Sequence, residues 1–251
     1  MCLIAAEPIK PAPPVIKNFF FTIADLMILA ITQPYFFPYI GYFQLLSKAD
    51  KTVFLDDVNF IKKGWVNRNR ILVGGETKFF TAPVLRASQN IKINNTFVDN
   101  NTKWKNKFTQ TLTHSYSRAP FFKKAFDLVS DTIFANHETI SDLAIQSLTA
   151  CMSYLSLEMP FLLSEGRSFH LSGESRIIDI CKKQKAKTYL NLPGGENLYS
   201  KDSFRREDID LSFIKPNIFE YRQLSKEFIS HLSIIDVIMN VPPDELRDAL
   251  K

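Results

Sequence analysis

Two neighbouring parts of this chain hold residue types that can do chemistry. A carboxylate pair, Asp56-Asp57, follows one apolar run, and Gln33 and Tyr35 lie in a loop after an earlier one. A carboxylate in a cleft can hold a sugar hydroxyl, an ammonium group or Mg²⁺. It can also act as a general base when desolvation raises its pKa. The pair and the loop together indicate a binding or catalytic site.

The two aspartates are adjacent, which limits what they can do together. Successive side chains of a strand point to opposite faces, so we expect Asp56 and Asp57 to diverge rather than form a two-carboxylate acid–base pair. One is expected to brace the following loop. We favour Asp57 as the carboxylate that faces the cleft and acts catalytically.

The loop after the first apolar run is made rigid by proline. Pro34 and Pro38 fix the backbone φ angle, so the amide of Gln33 and the phenol of Tyr35 are presented in defined positions. Such groups suit a polar ligand. The alternative for Gln33 is that its amide satisfies backbone groups of its own loop.

A third polar segment, Asn67-Arg68-Asn69-Arg70, follows Trp65. Arginine offers a planar fork that matches a carboxylate or phosphate group. In an extended segment, Arg68 and Arg70 share one face and the asparagines share the other. We expect Asn67 and the two arginines to bind substrate. The alternative is that one arginine pairs structurally with the aspartate pair.

The surrounding pattern predicts how these residues are positioned. A strand at Met27–Ile31, a helix at Tyr42–Lys48 and a strand at Thr52–Leu55 form a strand, loop, helix, strand order. That order is typical of parallel strands, whose carboxyl ends hold the ligand in open α/β sheets. Tyr42 begins the helix and is a further substrate-binding candidate.

The rest of the chain predicts a hairpin and three helices. Gly74-Gly75 supplies the positive φ angles of a two-residue turn, so we expect strands at Ile71–Val73 and Thr77–Leu85. Helices beginning at Thr102, at Phe121 and at Ser141 form a helical insertion that extends to about Ser156. The fold class is therefore α/β, with a mixed, mostly parallel sheet and a helical insertion.

A second strand, helix, strand unit repeats the site-forming order. A strand at Met159–Leu163 precedes a helix capped by Ser172, and Thr188–Leu190 precedes a glycine pair. Helix N-termini bind anions, and glycine lets the backbone approach a ligand. The substrate-binding candidates in this half are Ser172, Arg176, Gly194, Gly195 and Tyr199.

The tail predicts smaller elements, and the histidines predict little metal chemistry. We expect strands at Leu211–Ile214 and around Tyr221, and a last helix at Ser233–Met239. The four histidines lie more than twenty residues apart, so no zinc motif is present. Among them His114 is the best candidate for a catalytic base. The sequence indicates no particular cofactor.

Composition and charge set the class of protein. With 251 residues and 45% hydrophobic content, residues 27–251 can form one domain. Three cysteines without a CxxC motif fit a reduced, cytoplasmic protein. No apolar run approaches the roughly 20 residues that span a bilayer. Residues 1–26 carry four prolines and are expected to be a flexible extension, or a membrane-surface anchor built on Phe19-Phe20-Phe21.

The net charge of +5 is unevenly distributed. Residues 100–126 contain six basic and no acidic side chains. A solvated face is the commonest explanation, and a phosphate-bearing small molecule such as a nucleotide-linked sugar is the next. Nucleic-acid binding ranks last, and we expect no nucleic-acid partner. The sequence leaves the oligomeric state open.

The two motif segments resemble the WbqC-like family, whose hallmark is a QPxYxPWxGYF loop followed by a DDVQ…W.NRN stretch. The matching residues are Gln33, Pro34, Pro38, Gly41, Tyr42, Phe43, Asp56, Asp57, Val58, Trp65, Asn67, Arg68 and Asn69. Phe37, Tyr39 and Asn59 replace other residues of the same class. The resemblance extends more weakly from Met27 to the last predicted helix.

The resemblance also implies a function. The family is associated with bacterial O-antigen and other surface polysaccharides, and a glycine-transferase role has been proposed for it. We therefore expect a cytoplasmic transferase that moves an acyl or aminoacyl group, such as glycine, onto an amino sugar. The alternative is a non-catalytic protein that binds a sugar nucleotide or glycan precursor and assists a transferase.

Removing residues 1–26 tests the predicted domain boundary. We expect the truncated protein to fold, because this segment has no periodic apolar face. Thermal unfolding followed by circular dichroism measures the effect. A melting temperature lowered by more than a few degrees, on the order of 1 kcal/mol of lost contacts, would show that the segment belongs to the folded domain.

Overall fold

The structure is a computed structural model that describes residues 27–164 and 170–250. Its strands are β1 (Ile28–Thr32), β2 (Lys51–Phe54), β3 (Arg68–Val73), β4 (Glu76–Thr81), β5 (Phe161–Leu163), β6 (Thr188–Asn191) and β7 (Asp210–Phe213). Its α-helices are α1 (Ile40–Lys48), α2 (Thr102–Tyr116), α3 (Phe122–Phe134), α4 (Ile140–Tyr154), α5 (Gly173–Lys183), α6 (Lys201–Arg205), α7 (Ile234–Asn240) and α8 (Pro243–Leu250).

Five of the strands form one parallel sheet in the order β5-β2-β1-β6-β7. From β1 the chain adds β2 and β5 on one side, then β6 and β7 on the other. The order therefore reverses between β1 and β6, and crevices for ligands form at such switch points. Both motif loops leave the carboxyl ends of this sheet, as the sequence predicted.

The two faces of the sheet are covered by different helices because side chains alternate along β1. Leu29 and Ile31 pack in a cluster with Ile177 and Ile180 of α5. Ala30 points the other way and packs with Leu45 of α1. All six side chains are nearly fully buried, which is typical of a central parallel strand with helices on both faces.

The helical insertion and the hairpin are confirmed, and they build the larger part of the core. Helices α2, α3 and α4 occupy residues 102–154. The hairpin turn at Gly74 and Gly75 has φ angles of 63° and 81°, as the two-residue turn requires. The hairpin packs into the cluster that also contains the buried faces of α2, α3, α4 and α7.

Some sequence predictions differ from the structure in detail. Strands β3 and β4 pair only with each other among the described residues, so the hairpin does not extend the parallel sheet into a mixed one. The strand predicted around Tyr221 is absent, because residues 214–232 have no regular secondary structure. The predicted helix at Ser233–Met239 is α7, and a further helix that the sequence did not predict, α8, begins at Pro243, since proline is well suited to a first helical turn. Residues 1–26 lie outside the described part of the chain.

The loop between β1 and α1 contains a strained residue. Phe37 has a φ angle of 42°, which is unfavourable for a bulky side chain, and it is completely buried. Its N–H donates to Ser147 Oγ of α4 at 3.0 Å. Its carbonyl accepts bonds from Asn69 Nδ2 at 2.9 Å and from Ser233 Oγ at 2.6 Å. Three separate elements therefore hold the loop in a conformation that costs about 1–3 kcal/mol.

Ser233 also caps α7, since its Oγ accepts from the N–H of Ile235. We expect Ser233→Ala to lower the free energy of unfolding by about 1–2 kcal/mol, the usual effect of a lost cap. Ser172→Ala is the matched control, because Ser172 precedes α5 without a side-chain capping bond. Urea denaturation measures both variants. Equal losses would contradict the role assigned to Ser233.

Candidate functional site

A buried polar cluster lies just beyond the carboxyl end of β2. Asp56 and Asp57 are 2% and 7% exposed, and Ser164 after β5 is fully buried. Ser164 Oγ lies 2.6 Å from Asp57 Oδ1 and 3.3 Å from Asp56 Oδ1. Ser141 of α4 donates to Asp56 Oδ2 at 3.3 Å. The cluster thus gathers residues from two strand ends and one helix.

Arg176 of α5 completes this cluster. Its Nη2 lies 2.7 Å from both carboxylate oxygens of Asp57, and both side chains are at most 10% exposed. The sequence had left open that Arg68 or Arg70 pairs with the aspartates. The structure shows that Arg176 is the arginine that pairs with Asp57. The sequence could not indicate this partner, because 119 residues separate the two side chains.

The two aspartates also do not diverge as the sequence predicted. They follow β2 instead of continuing it, so the alternation of a strand does not apply. Ser164 contacts both carboxylates. The prediction that the Asp56 and Asp57 side chains point to opposite faces is wrong for this reason. The two carboxylates are close enough for the charge of one to affect the pKa of the other.

Their environments push the two pKa values apart. Burial raises the pKa of Asp56 and the charge of Asp57 adds to the rise, while hydrogen bonds from Ser141 and Ser164 offset part of it. Burial also acts to raise the pKa of Asp57. There the hydrogen bonds from Ser164 and Arg176, with the arginine charge, outweigh burial and lower the pKa. Unequal carboxylates of this kind are typical of acid–base sites.

A second feature, which we call the aromatic cavity, lies beside the strained loop. It measures about 270 Å³ and is lined by Tyr35, Pro38, Tyr39, Trp65, Asn69, Arg70 and His231. The two motif segments supply five of these residues, and Arg70 directly follows the second segment. The sequence identified Tyr35 and Arg70 as site residues, but not Tyr39 or His231. Tyr39 had a signal in its motif position, whereas His231 is brought in only by tertiary folding.

The polar residues of the third segment divide into two groups. Asn67 and Asn69 are buried, and their amides donate to the carbonyls of Ala82 and Phe37. Arg68 donates to the Gly64 carbonyl and lies over the Phe79 ring at 4.5 Å. Arg70, by contrast, lines the aromatic cavity. Substrate contact by Asn67 and Arg68 stays a prediction, since their described contacts are all within the protein.

Gln33 and Tyr42 connect the strand end to the aromatic cavity. Tyr42 is fully buried, and its hydroxyl donates to the Gln33 carbonyl at 2.7 Å. The rings of Tyr42 and Tyr35 lie 5.4 Å apart. The Gln33 side-chain amide makes no hydrogen bond with the described residues. It therefore does not satisfy backbone groups of its own loop, which was the alternative to ligand contact. Tyr42 is placed to support the loop, and its contact with substrate stays a prediction.

The predicted residues of the second unit lie on α5 and after β6. Gly194 and Gly195 belong to a short 3-10 helix, Pro193–Leu198, that follows β6. Neither has a positive φ angle, and Gly195 is needed because a Cβ atom would collide with the Asn191 side chain. The Tyr199 ring packs edge-on against Tyr189. Ser172 is exposed at the start of α5.

His114 lies elsewhere. It lines a separate, open cavity of about 1080 Å³ together with the hairpin turn and residues 221–228. Neither aspartate of the polar cluster contributes to that cavity. No described contact therefore links His114, the predicted base, to Asp57.

Two features are absent from the described residues, 27–164 and 170–250. No group of three or more His, Cys, Asp or Glu side chains there is arranged to hold a metal ion. No helix in the same part of the chain has the length and apolar character needed to cross a membrane.

The fold and these sites define an α/β protein with a parallel sheet and motif loops at the ends of β1 and β2. The model of the WbqC-like protein family matches residues 33–248, so the chain belongs to that family. The chain is 28% identical over 225 residues to the uncharacterized protein Rv1507c of Mycobacterium tuberculosis, with 87% of this chain and 97% of the relative covered. No solved structure matches it.

Breaking the buried ion pair should destabilise the protein strongly. We expect Asp57→Asn to cost about 3–5 kcal/mol of unfolding free energy, because Arg176 then keeps a buried charge without its carboxylate. The double variant Asp57→Leu/Arg176→Met should recover part of the loss. Glu207→Gln is the control, since the Lys182–Glu207 pair is equally short but exposed and should matter far less. Equal losses for both single variants would contradict this account.

The lowered pKa of Asp57 gives this effect a direction in pH. Its folded pKa lies below the unfolded value of about 3.9, so the pair stabilises the protein fully above that pH. This contribution is lost as the pH falls through the folded pKa. The difference in unfolding free energy between wild type and Asp57→Asn should therefore shrink below about pH 4. A difference that grows on acidification would be inconsistent with the pair.

Proposed function

We propose that this protein is a cytoplasmic transferase of bacterial surface-polysaccharide biosynthesis, including O-antigen. It moves an acyl or aminoacyl group, such as glycine, onto an amino sugar. Family membership supports the class of process. The observation that carries the reaction is the unequal pair of buried aspartates at the end of β2.

The pair suits this chemistry because the attacking amine must lose a proton. A general base works best when its pKa lies near the working pH. Burial moves Asp56 in that direction, whereas Asp57 is held acidic and binds Arg176. We therefore assign proton transfer to Asp56. Asp57, which the sequence favoured as the base, holds Arg176 in place.

The second candidate function is a non-catalytic protein that binds a sugar nucleotide or glycan precursor and assists a transferase. Two observations favour it. The bidentate contact with Arg176 occupies Asp57, so one of the two carboxylates is poorly placed to accept a proton. The walls of the aromatic cavity are held by bonds within the protein, such as that from Asn69 to the Phe37 carbonyl, as expected of a largely preformed binding site.

A screen of substrates separates the two functions. The protein is incubated with nucleotide-linked amino sugars and a panel of acyl and aminoacyl donors, and products are detected by mass spectrometry. For the transferase we expect a mass increase on the amino sugar. Asp56→Asn should reduce turnover by roughly 10²–10⁴-fold, the usual contribution of a general base.

Two variants serve as controls in this screen. His114→Asn should retain turnover, because His114 lines a different cavity. Asp57→Asn should lose turnover together with stability, so its activity is compared at a temperature where it remains folded. Binding of an amino sugar without product from any donor would favour the accessory protein. Normal turnover of Asp56→Asn would remove Asp56 from the mechanism.

A further inference from the structure

The walls of the aromatic cavity are built to pack against a ring. Trp65 is 42% exposed, and Tyr35 and Tyr39 are partly buried beside it. The Tyr39 ring meets the His231 ring edge-on at 5.5 Å. Aromatic faces of this kind bury the face of a sugar or another ring, and exposed tryptophan is common where a ligand packs.

The charged residue in the lining of the aromatic cavity favours a negatively charged ligand. Arg70 lines the cavity, and none of the described Asp or Glu residues does. Its guanidinium lies 5.9 Å from the Trp65 ring, and Nη2 donates to the His231 carbonyl. Among the described residues, Arg70 Nε has no hydrogen-bond partner. Aromatic rings alone also attract cations, but Arg70 repels a cation and attracts a carboxylate or phosphate.

The size of the aromatic cavity limits the ligand to one ring. Its volume of about 270 Å³ falls just below the range of roughly 300–1,000 Å³ typical of sites for drug-sized ligands. One six-membered ring with one anionic substituent fits inside. Of a nucleotide-linked amino sugar, the sugar ring and its attached phosphate therefore fit, and the rest of the nucleotide lies outside the cavity.

The walls are also held in place before any ligand binds. Asn69, between the cavity and the core, bonds the Phe37 carbonyl with one atom and the Arg70 N–H with another. On the other side Gly41 is tightly enclosed: a Cβ atom there would lie 2.4 Å from Tyr39 Cε2 and 2.9 Å from Pro216 Cβ. The positions of Arg70 and Tyr39 are therefore fixed by the fold, which reduces the entropic cost of binding.

We infer that the aromatic cavity binds an anionic monosaccharide, a sugar that carries a carboxylate or a phosphate, with the ring against Trp65 and the anion on Arg70. This inference names the substrate class for the proposed transferase and rests on that proposal for its biological role. The binding itself is tested without any donor, so the two can fail separately.

Calorimetric titration with four probes of one size tests the inference. Glucuronate carries a carboxylate, glucose 1-phosphate a phosphate, glucose no charge and glucosamine a positive charge. We expect at least one of the two anions to bind, glucose to bind at least tenfold more weakly, and glucosamine to bind no better than glucose. Comparing the two anions identifies the preferred group.

Matched variants assign the binding to the aromatic cavity. Arg70→Gln should weaken binding of the anion by roughly 10- to 100-fold, the usual effect of a lost charge-assisted hydrogen bond. Arg86→Gln is the control, since Arg86 is an exposed arginine that does not line the cavity. Trp65→Leu should also weaken binding, and Trp104→Leu should not. Trp65 is largely exposed, so this variant remains informative if Arg70→Gln proves unstable.

The inference is overturned if no probe binds, if glucose binds as tightly as the anions, or if Arg70→Gln and Trp65→Leu bind normally. Anion binding that depends on Arg70, without product from any donor, would support the cavity inference and count against the transferase. Product formed equally well by Trp65→Leu and Arg70→Gln would retain the transferase and exclude this cavity as its substrate site.

Discussion

The backbone of Phe37 is the constraint on which the site depends. A buried aromatic residue with a φ angle of 42° is stable only where its surroundings supply enough bonds. Here α4, β3 and the N-cap of α7 each contribute one, through Ser147, Asn69 and Ser233. The bonds close the loop between Pro34 and Pro38 onto the hairpin. The aromatic cavity is the space that remains between these parts.

The polar cluster and the aromatic cavity differ in burial and in charge. The cluster after β2 is buried and nearly saturated with internal bonds, so it provides charge and proton affinity. The cavity provides shape, aromatic surface and one arginine. Gln33 follows β1, the neighbour of β2 in the sheet, and its carbonyl accepts from Tyr42, whose ring packs on Tyr35 of the cavity. The proposed recognition of an anionic sugar is assigned to the loop after β1, and the proposed proton transfer to the end of the neighbouring strand β2.

Local signals in the sequence predicted the elements well, and long-range contacts explain what it missed. The spacing of apolar residues, together with glycine and proline positions, predicted three features. These are the parallel order of β1 and β2, the Gly74-Gly75 turn and the three inserted helices. The pairing of Asp57 with Arg176 joins residues 119 positions apart, and His231 enters the cavity through an irregular segment. Substrate contact was predicted for Asn67 and stays a prediction, and the described bonds of Asn67 and Asn69 fasten the backbone.

Hydrogen exchange at the Phe36 and Phe37 amides tests this account most directly. Both N–H groups are bonded, to the Val66 carbonyl and to Ser147 Oγ, although the loop has no regular secondary structure. If the loop is fixed before ligand binds, the two amides should exchange as slowly as those of β1, through global unfolding. Exchange as fast as in an exposed loop, without ligand, would show that the cavity is not preformed and would contradict the central claim.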